Sequence, residues 1–284
     1  MNIIDLSIFS NRINSICTEM GAALKRAAFS PNIKDRLDYS CAIFDQDGNL
    51  CAQAAHIPVH LGSMAYAMKN IIREFQWRSG DMLILNDPFL GGTHLPDVTV
   101  IAAMVIDNKL YGYIANRAHH ADIGGESPGS MPVSTDISQE GLLISPEFLV
   151  RGGQINRLLM NRITNATRNP EDSLGDFSAQ ISANKVGLQR LAKLIAQTGS
   201  DDYLRGVIEL DKYATRLALT SLKQIPNGCY RFTDYMDDDG AGHECLPIQV
   251  AITIRDGNVD VDFSGSAEQV NGNINCPLSV TAAA

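Results

Sequence analysis

The chain has no apolar run long enough to cross a bilayer. Its longest lies around Val98 to Ile106, and a spanning helix needs about 20 residues. No basic opening followed by an apolar stretch appears in MNIIDLSIFSNR, so no secretory signal is read there. Positive charge is scarce: the formal net charge is -9. An acidic protein repels phosphate backbones, which argues against a nucleic-acid partner. No C-x-x-C pair occurs among the six cysteines, at 17, 41, 51, 229, 245 and 276. That scatter predicts reduced thiols in a cytoplasmic protein, without a disulfide framework, a zinc knuckle or a membrane partner. A nucleotide-triphosphate loop is missing too. GGESPGS (124–130) spaces its glycines suitably, but Ser130 and Met131 stand where G-K-[ST] is required.

Hydrophobic content of 45% is ample for a core. At about 150 residues per domain the length suits about two domains. Leu6, Phe9, Ile13, Ile16, Met20, Ala23 and Ala27 recur at helical spacing, and Pro31 closes that segment. Ser40 to Phe44 and Leu50 to Gln53 flank Asp47-Gly48, a hairpin signal. A helix is predicted over 63–75, β-structure over 82–118 and loop over 124–132. Further helices are predicted over 178–197 and from Ser200 to before Pro226, with Asp201 and Asp202 favouring the helix dipole. Ala251 to Ile254 and Val259 to Phe263 flank a second Asp-Gly turn. The pattern is α+β: mixed, with antiparallel hairpins and packed helices. Two regions are expected, a metal-bearing α+β region over 1–225 and the start of a β-rich region over 226–284. The small, apolar end from Leu278 to Ala284 reads as β-structure that should continue.

The chemistry concentrates in NDPFLGGTHLPD (86–97) and NRAHHADIGG (116–125). Val98 to Ile106 and Leu110 to Ala118 form a candidate hairpin about Asp107-Asn108-Lys109. With Asn108 as its centre, Asp97 and His119 fall opposite each other, about 5 Å apart at Cβ. A bend at Pro96 and Gly91-Gly92 can bring His94 round to the same side. Two imidazoles and a carboxylate suit a divalent ion, Mn, Fe or Zn, with open positions. A slip of one residue would present His120 in place of His119. Asn86, Asp87 and Asp122 are candidate partners for fixing a histidine tautomer. His56, His60 and His243 carry no pattern of their own.

Weaker signals have plainer readings. Asp237, Asp238 and Asp239 fail the calcium-loop pattern at Tyr235 and read as a solvated acidic turn. Cys41 and Cys51 read as small buried hydrophobes. Arg36, Asp38 and Arg151 meet either an anionic substrate or surface partners.

Seven stretches, in order over nearly the whole chain, carry a resemblance: NIKDRLDYSCAIFD (32–45), HIPVHLGSM (56–64), NDPFLGGTHLPDVTV (86–100), NRAHHADIGGESPGSMP (116–132), GDFSAQISANKVGLQRL (175–191), IPNGCY (225–230) and VDFSGSAEQVNGNIN (261–275). The sequence resembles the hydantoinase B/oxoprolinase family. That family includes the B subunit of ATP-dependent N-methylhydantoinases, the C-terminal part of 5-oxoprolinase and the large subunits of acetone and acetophenone carboxylases. The resemblance implies the N-terminal portion of a longer family chain. It also implies a hydantoinase A-type partner with an actin-like ATPase fold, which holds ATP and phosphorylates the carbonyl of a small cyclic amide. By the same resemblance, His94, Asp97 and His119 hold a divalent metal. The reaction expected is ring opening of a hydantoin or 5-oxoproline by a metal-bound water, with His120 or Asp122 as proton acceptor. Ketone carboxylation, or a fragment that only binds its partner, are the alternatives.

Overall fold

The computed structural model describes residues 2–55 and 57–284, so His56 lies outside the described residues. Helix α1 (Ile3–Ala27) follows the predicted apolar stripe and buries Phe9, Ile13, Ile16, Met20 and Leu24. Asn2 caps it by accepting from Asp5 N. A short helix α2 (Pro31–Lys34) leads into the hairpin β1 (Tyr39–Phe44) and β2 (Leu50–Ala55). Helix α3 (Pro58–Glu74) starts a turn earlier than its apolar period, with Pro58 in the first turn, where a missing N–H costs nothing. Strands β3 (Met82–Leu85), β4 (Asp97–Ile106) and β5 (Lys109–His119) follow. After them come α4 (Ile137–Glu140), β6 (Glu147–Arg151), β7 (Gln154–Ile155) and α5 (Arg157–Thr164). Helix α6 (Pro170–Thr198) begins well before the predicted residue 178. Its first turns carry Glu171 and Asp172 rather than an apolar stripe, behind Asn169 as N-cap. Helix α7 (Ser200–Leu222), strands β8 (Gly228–Asp238), β9 (Glu244–Arg255) and β10 (Asn258–Asp262), and helix α8 (Leu278–Ala283) complete the order.

Two compact units result, and the first is discontinuous. It comprises residues 1–132, 138–207 and 276–284; the second comprises 133–137 and 208–275. The division therefore falls inside α7, not at the predicted 225/226, because Tyr203 and Val207 belong to the core of the first unit. The end predicted as β-structure is helix α8, which returns to the first unit. There Ala283 lies against Gly62 of α3, where a Cβ would come within 2.5 Å of the Ala283 Cα.

The first unit holds a seven-stranded antiparallel sheet in the order β2-β1-β5-β4-β3-β6-β7. Helix α3 covers one face, packing Met64, Met68 and Ile71 against Phe44, Leu83, Leu85 and Ile101. Helices α1 and α6 lie against each other and the other face. Two covered faces explain why β4 reads as a continuous apolar run rather than an alternation. The second unit holds the sheet β10-β9-β8, hairpin-connected at the predicted Asp256-Gly257 turn. Asp239 is not in a solvated turn. It is buried and accepts from Ala241 N, His243 N and His243 Nδ1. Those donors outweigh the opposing effect of burial and hold its carboxyl well below the usual range.

One buried polar chain crosses from α6 to the central strands. Asn184 Nδ2 donates to Val100 O, and Asn184 Oδ1 accepts from Asn116 Nδ2. Gln180 Nε2 donates to Asn116 Oδ1 and Val98 O. Every partner is buried, so a truncation leaves groups with no water to turn to. Asn184→Ala is expected to lower unfolding free energy by about 2–3 kcal/mol in urea titrations.

Candidate metal centre

The site is set by strand register, and register here depends on a bulge. Asp107 and Asn108 form a two-residue turn, both with positive φ (48° and 61°), as a tight hairpin demands. The predicted turn had one residue more. Beside the turn Ile106 pairs with Lys109 and Val105 with Leu110. Beyond the shift Met104 pairs with Gly112, and the new register runs on to Asp97 opposite His119. Tyr111 is thus the extra residue of a bulge that restores the pairing. Gly112 makes that bulge possible: at φ +143° its Cβ would come within 2.3 Å of the Phe44 carbonyl oxygen.

His94 reaches the same spot from the loop after β3. A 3-10 turn at Pro88–Leu90 ends on Gly91, at φ +102°, and turns the chain towards β4. His94 Nε2, His119 Nδ1 and Asp97 Oδ1 then form a triangle with every side 3.1 Å. Protons serve this triangle poorly. If both imidazoles donate to Oδ1, their N–H groups face each other across 3.1 Å. A cation at the centre takes one lone pair from each atom. Ligands about 2.1 Å from an ion and at right angles lie about 3.0 Å apart, so the donor set fits a divalent metal.

Two further residues converge there that the sequence did not single out for the site. His60, from α3, places Nε2 3.3 Å from Asp97 Oδ2 and 3.8 Å from Asp38 Oδ1. Asp38 stands just before β1, and its Oδ2 is 3.9 Å from His119 Nδ1. Thr93 donates to Asp97 Oδ2. Asp97 is buried, which opposes its ionisation. The hydrogen bonds from His119, His60 and His94 prevail and hold it well below the usual carboxylate range. Burial lowers His94, but the bond to Asp97 and its charge leave the imidazole above its ordinary value.

Arg117 supports this constellation from beneath. It is fully buried, donating Nε to Thr99 Oγ1 (2.8 Å), Nη1 to Ser63 Oγ and Nη2 to Gly91 O (2.9 Å). Burial pulls its pKa down to about 10, so it stays charged at neutral pH. On the other side of the His94 loop, Ser279 of α8 donates to Gly92 O.

The remaining predicted residues lie elsewhere. His120 turns to α6, where Nε2 meets Gln180 Oε1 at 3.0 Å and the ring stacks on Phe177 at 4.1 Å. Burial lowers its pKa, so it is neutral. Asp122 is saturated by Gly124 N, Ser130 Oγ and Arg168 N. These donors overcome the effect of burial and depress its pKa. The carboxylate takes the Gly124 amide and Ser130 Oγ takes those of Ile123 and Gly125, so these loop amides are not offered to a ligand. Asn86 bonds Leu95 O, Leu142 O and Ile144 N, and Asp87 accepts from Phe89 N, so neither fixes a histidine tautomer by the bonds it makes. Arg151 pairs with buried Asp81 at 2.8 Å, a structural contact. Cys41 is fully buried and its thiol is pushed well up by that burial.

A family model described as hydantoinase B/oxoprolinase matches residues 2–284. The chain belongs to that family. Among its relatives is a 5-oxoprolinase of Dictyostelium discoideum, 37% identical over 98% of this chain and 22% of its own length. The B subunit of a putative D-/L-hydantoinase from a Pseudomonas species is 30% identical over 97% of this chain and 49% of its own. The crystal structure of an ATP-dependent caprolactamase from Pseudomonas jessenii superposes with a TM-score of 0.94 at 28% identity, over 100% of this chain and 49% of that one. The chain thus spans half or less of the length of these proteins. Among its described residues no helix is long and apolar enough to cross a membrane.

Proposed function

We propose that this chain contributes the metal centre of an ATP-dependent cyclic amide hydrolase. The observation that carries this is the 3.1 Å triangle of His94, Asp97 and His119. The three proteins described above are named for cyclic substrates: 5-oxoproline, hydantoin and caprolactam. Cyclic amide carbonyls are poor electrophiles, and transfer of phosphate to the oxygen makes the carbon attackable. The sequence has no Walker lysine, so ATP belongs on a partner of the hydantoinase A type, an actin-like ATPase. The naming of the hydantoinase relative as one subunit of an enzyme is consistent with such a partner.

His94, Asp97 and His119 would hold a divalent ion, Mn, Fe or Zn. Such an ion supplies Lewis acidity and brings a water towards ionisation at neutral pH. His60 keeps Asp97 ionised and oriented through Oδ2, assisted by Thr93. Asp38, a quarter exposed and beside both His60 and His119, accepts the proton of the attacking water. It takes the role that the sequence suggests for His120 or Asp122, because His120 faces Gln180 and Asp122 has no free oxygen. Attack at the activated carbon breaks the ring C–N bond, the nitrogen taking up a proton, and leaves an acyl phosphate; a second water hydrolyses that acyl phosphate to carboxylate and inorganic phosphate. The products are an N-carbamoyl amino acid from a hydantoin, or glutamate from 5-oxoproline.

The test is reconstitution. The isolated chain is expected to leave ATP intact, and addition of the partner ATPase to yield ring-opened product in step with phosphate release. Strong chelation should remove that product. Turnover of ATP by the homogeneous chain alone would overturn the assignment, and strict dependence on bicarbonate would replace hydrolysis with carboxylation.

A further inference from the structure

The sheet of the second unit has two unlike faces. Residues paired across strands share a side, and successive residues along a strand alternate between sides. Between β8 and β9, Tyr230 pairs with Ile252, Phe232 with Val250, Asp234 with Ile248 and Met236 with Leu246. In β10, Val261 pairs with the same Ile252, and Val259 with Ile254. These residues therefore make one apolar face. Asp234 is its only charge short of the β8–β9 turn, where Asp238 and Glu244 close it. The opposite face carries Arg231, Thr233, Gln249, Thr253, Arg255 and Asp260.

An antiparallel sheet commonly sets its polar face in water and its apolar face on a core. Here the apolar face is bare. Tyr230, Phe232, Met236, Ile248, Val259 and Val261 are between 40% and 67% exposed, and on this face only Ile254 is buried. At ordinary strand rise and spacing the face is about 35 Å long and about 10–15 Å wide. A continuous apolar patch larger than a few hundred Å² marks an interaction surface.

Two observations choose the occupant. A second copy fits poorly: joining like faces would bury two Asp234 carboxylates with no cation to meet them, on chains of formal net charge -9 each. The hydantoinase subunit and the caprolactamase chain, by contrast, carry as much sequence again beyond the half that this chain matches.

We propose that this face docks the polypeptide corresponding to that other half, through an aliphatic and aromatic surface that sets one basic side chain opposite Asp234. A carboxylate sealed under apolar cover must be paired, so the cover has to bring the cation. None of these residues belongs to the metal centre.

The probe is the half of the hydantoinase subunit that this chain does not match, co-expressed with the full 284-residue chain. The two should co-purify as an equimolar complex by light scattering. Hydroxyl-radical footprinting should oxidise Phe232 and Met236 readily in the chain alone and several-fold more slowly in the complex. A fusion of the two through a flexible linker should give the same protection, since tethering raises effective concentration. Ile248→Glu and Val261→Glu should each weaken the complex by about tenfold or more, because each buries an unpaired charge. Asp234→Lys should do the same by setting cation against cation. Thr233→Glu and Thr253→Glu, on the opposite face, should leave it unchanged, and circular dichroism should show every variant folded like the parent. No complex, a fusion that leaves Phe232 reactive, or equal loss from Thr233→Glu would each overturn the proposal. Protection that grows with concentration in the chain alone would give the face to a second copy, and protection by the ATPase partner would give it to that subunit; either result would overturn the occupant proposed.

Discussion

Asp97→Ala is expected to abolish tight divalent binding, with affinity at least about a hundredfold lower by titration calorimetry. Losing an outer partner of a metal ligand already costs about 10–100-fold. Asp97 does more: one oxygen completes the triangle with His94 and His119, and the other receives His60 and Thr93. Its removal also leaves three imidazoles crowded without the anion that orders them. Asp97→Asn separates the two effects, because shape is retained and charge is lost. Both variants should lose partner-dependent ring opening, while circular dichroism reports the fold intact. A smaller loss of metal affinity is expected for Asp38→Asn, since Asp38 stands 3.9 Å from His119 Nδ1 and outside the triangle. Unchanged metal content in Asp97→Asn, by elemental analysis, would refute the centre.

Arg117→Met is expected to produce the largest loss of stability, about 3–5 kcal/mol in urea titrations. The guanidinium is fully buried and satisfies Thr99, Ser63 and the Gly91 carbonyl from one planar group. A methionine fills the volume and leaves Thr99 Oγ1 and the Gly91 carbonyl without that donor, while Ser63 Oγ keeps only its bonds to Val59 O and His60 O. Arg117→Lys should recover only part of the loss, because one ammonium cannot reproduce the fork. The Gly91 carbonyl belongs to the loop that carries His94, so metal affinity should fall in parallel with stability. A variant that loses stability but binds metal like the parent would show that the loop keeps its shape without Arg117.

The legible parts of this fold are those governed by local chemistry. Helical spacing exposed α1, and Asp-Gly or Asp-Asn turns exposed three hairpins. The pairing of Asp97 with His119 was also legible, though for an incomplete reason. A turn counted one residue too long gave the same register that a shorter turn and a bulge at Tyr111 produce together. Bulges leave only a faint trace in sequence; here Gly112 is that trace. Asp38 and His60 were not legible as site residues. They arrive through pairing of β1 with β5 and packing of α3 on the sheet, contacts between segments far apart in the chain. The direction of His120 was not legible, since the wire from Val100 through Asn184, Asn116 and Gln180 is a property of the packed interior. Helix α8 was misread because a short run of small residues has no period to distinguish helix from strand.

Helix α8 also bears on the order of events at the ribosome. The chain is made from its N-terminus, and domains generally fold as they emerge. Here His94, Asp97 and His119 are synthesised long before Ser279, which holds the Gly92 carbonyl of the same loop. Until that residue has left the exit tunnel, the small-residue surface of α3 at Gly62 lacks its cover and the loop lacks one of its anchors. Closing the long connection through the second unit adds an entropic cost that grows only slowly with its length. Ion capture during translation is therefore expected to lag behind formation of the sheet, and a stalled nascent chain halted before Cys276 would carry its histidines without the loop secured.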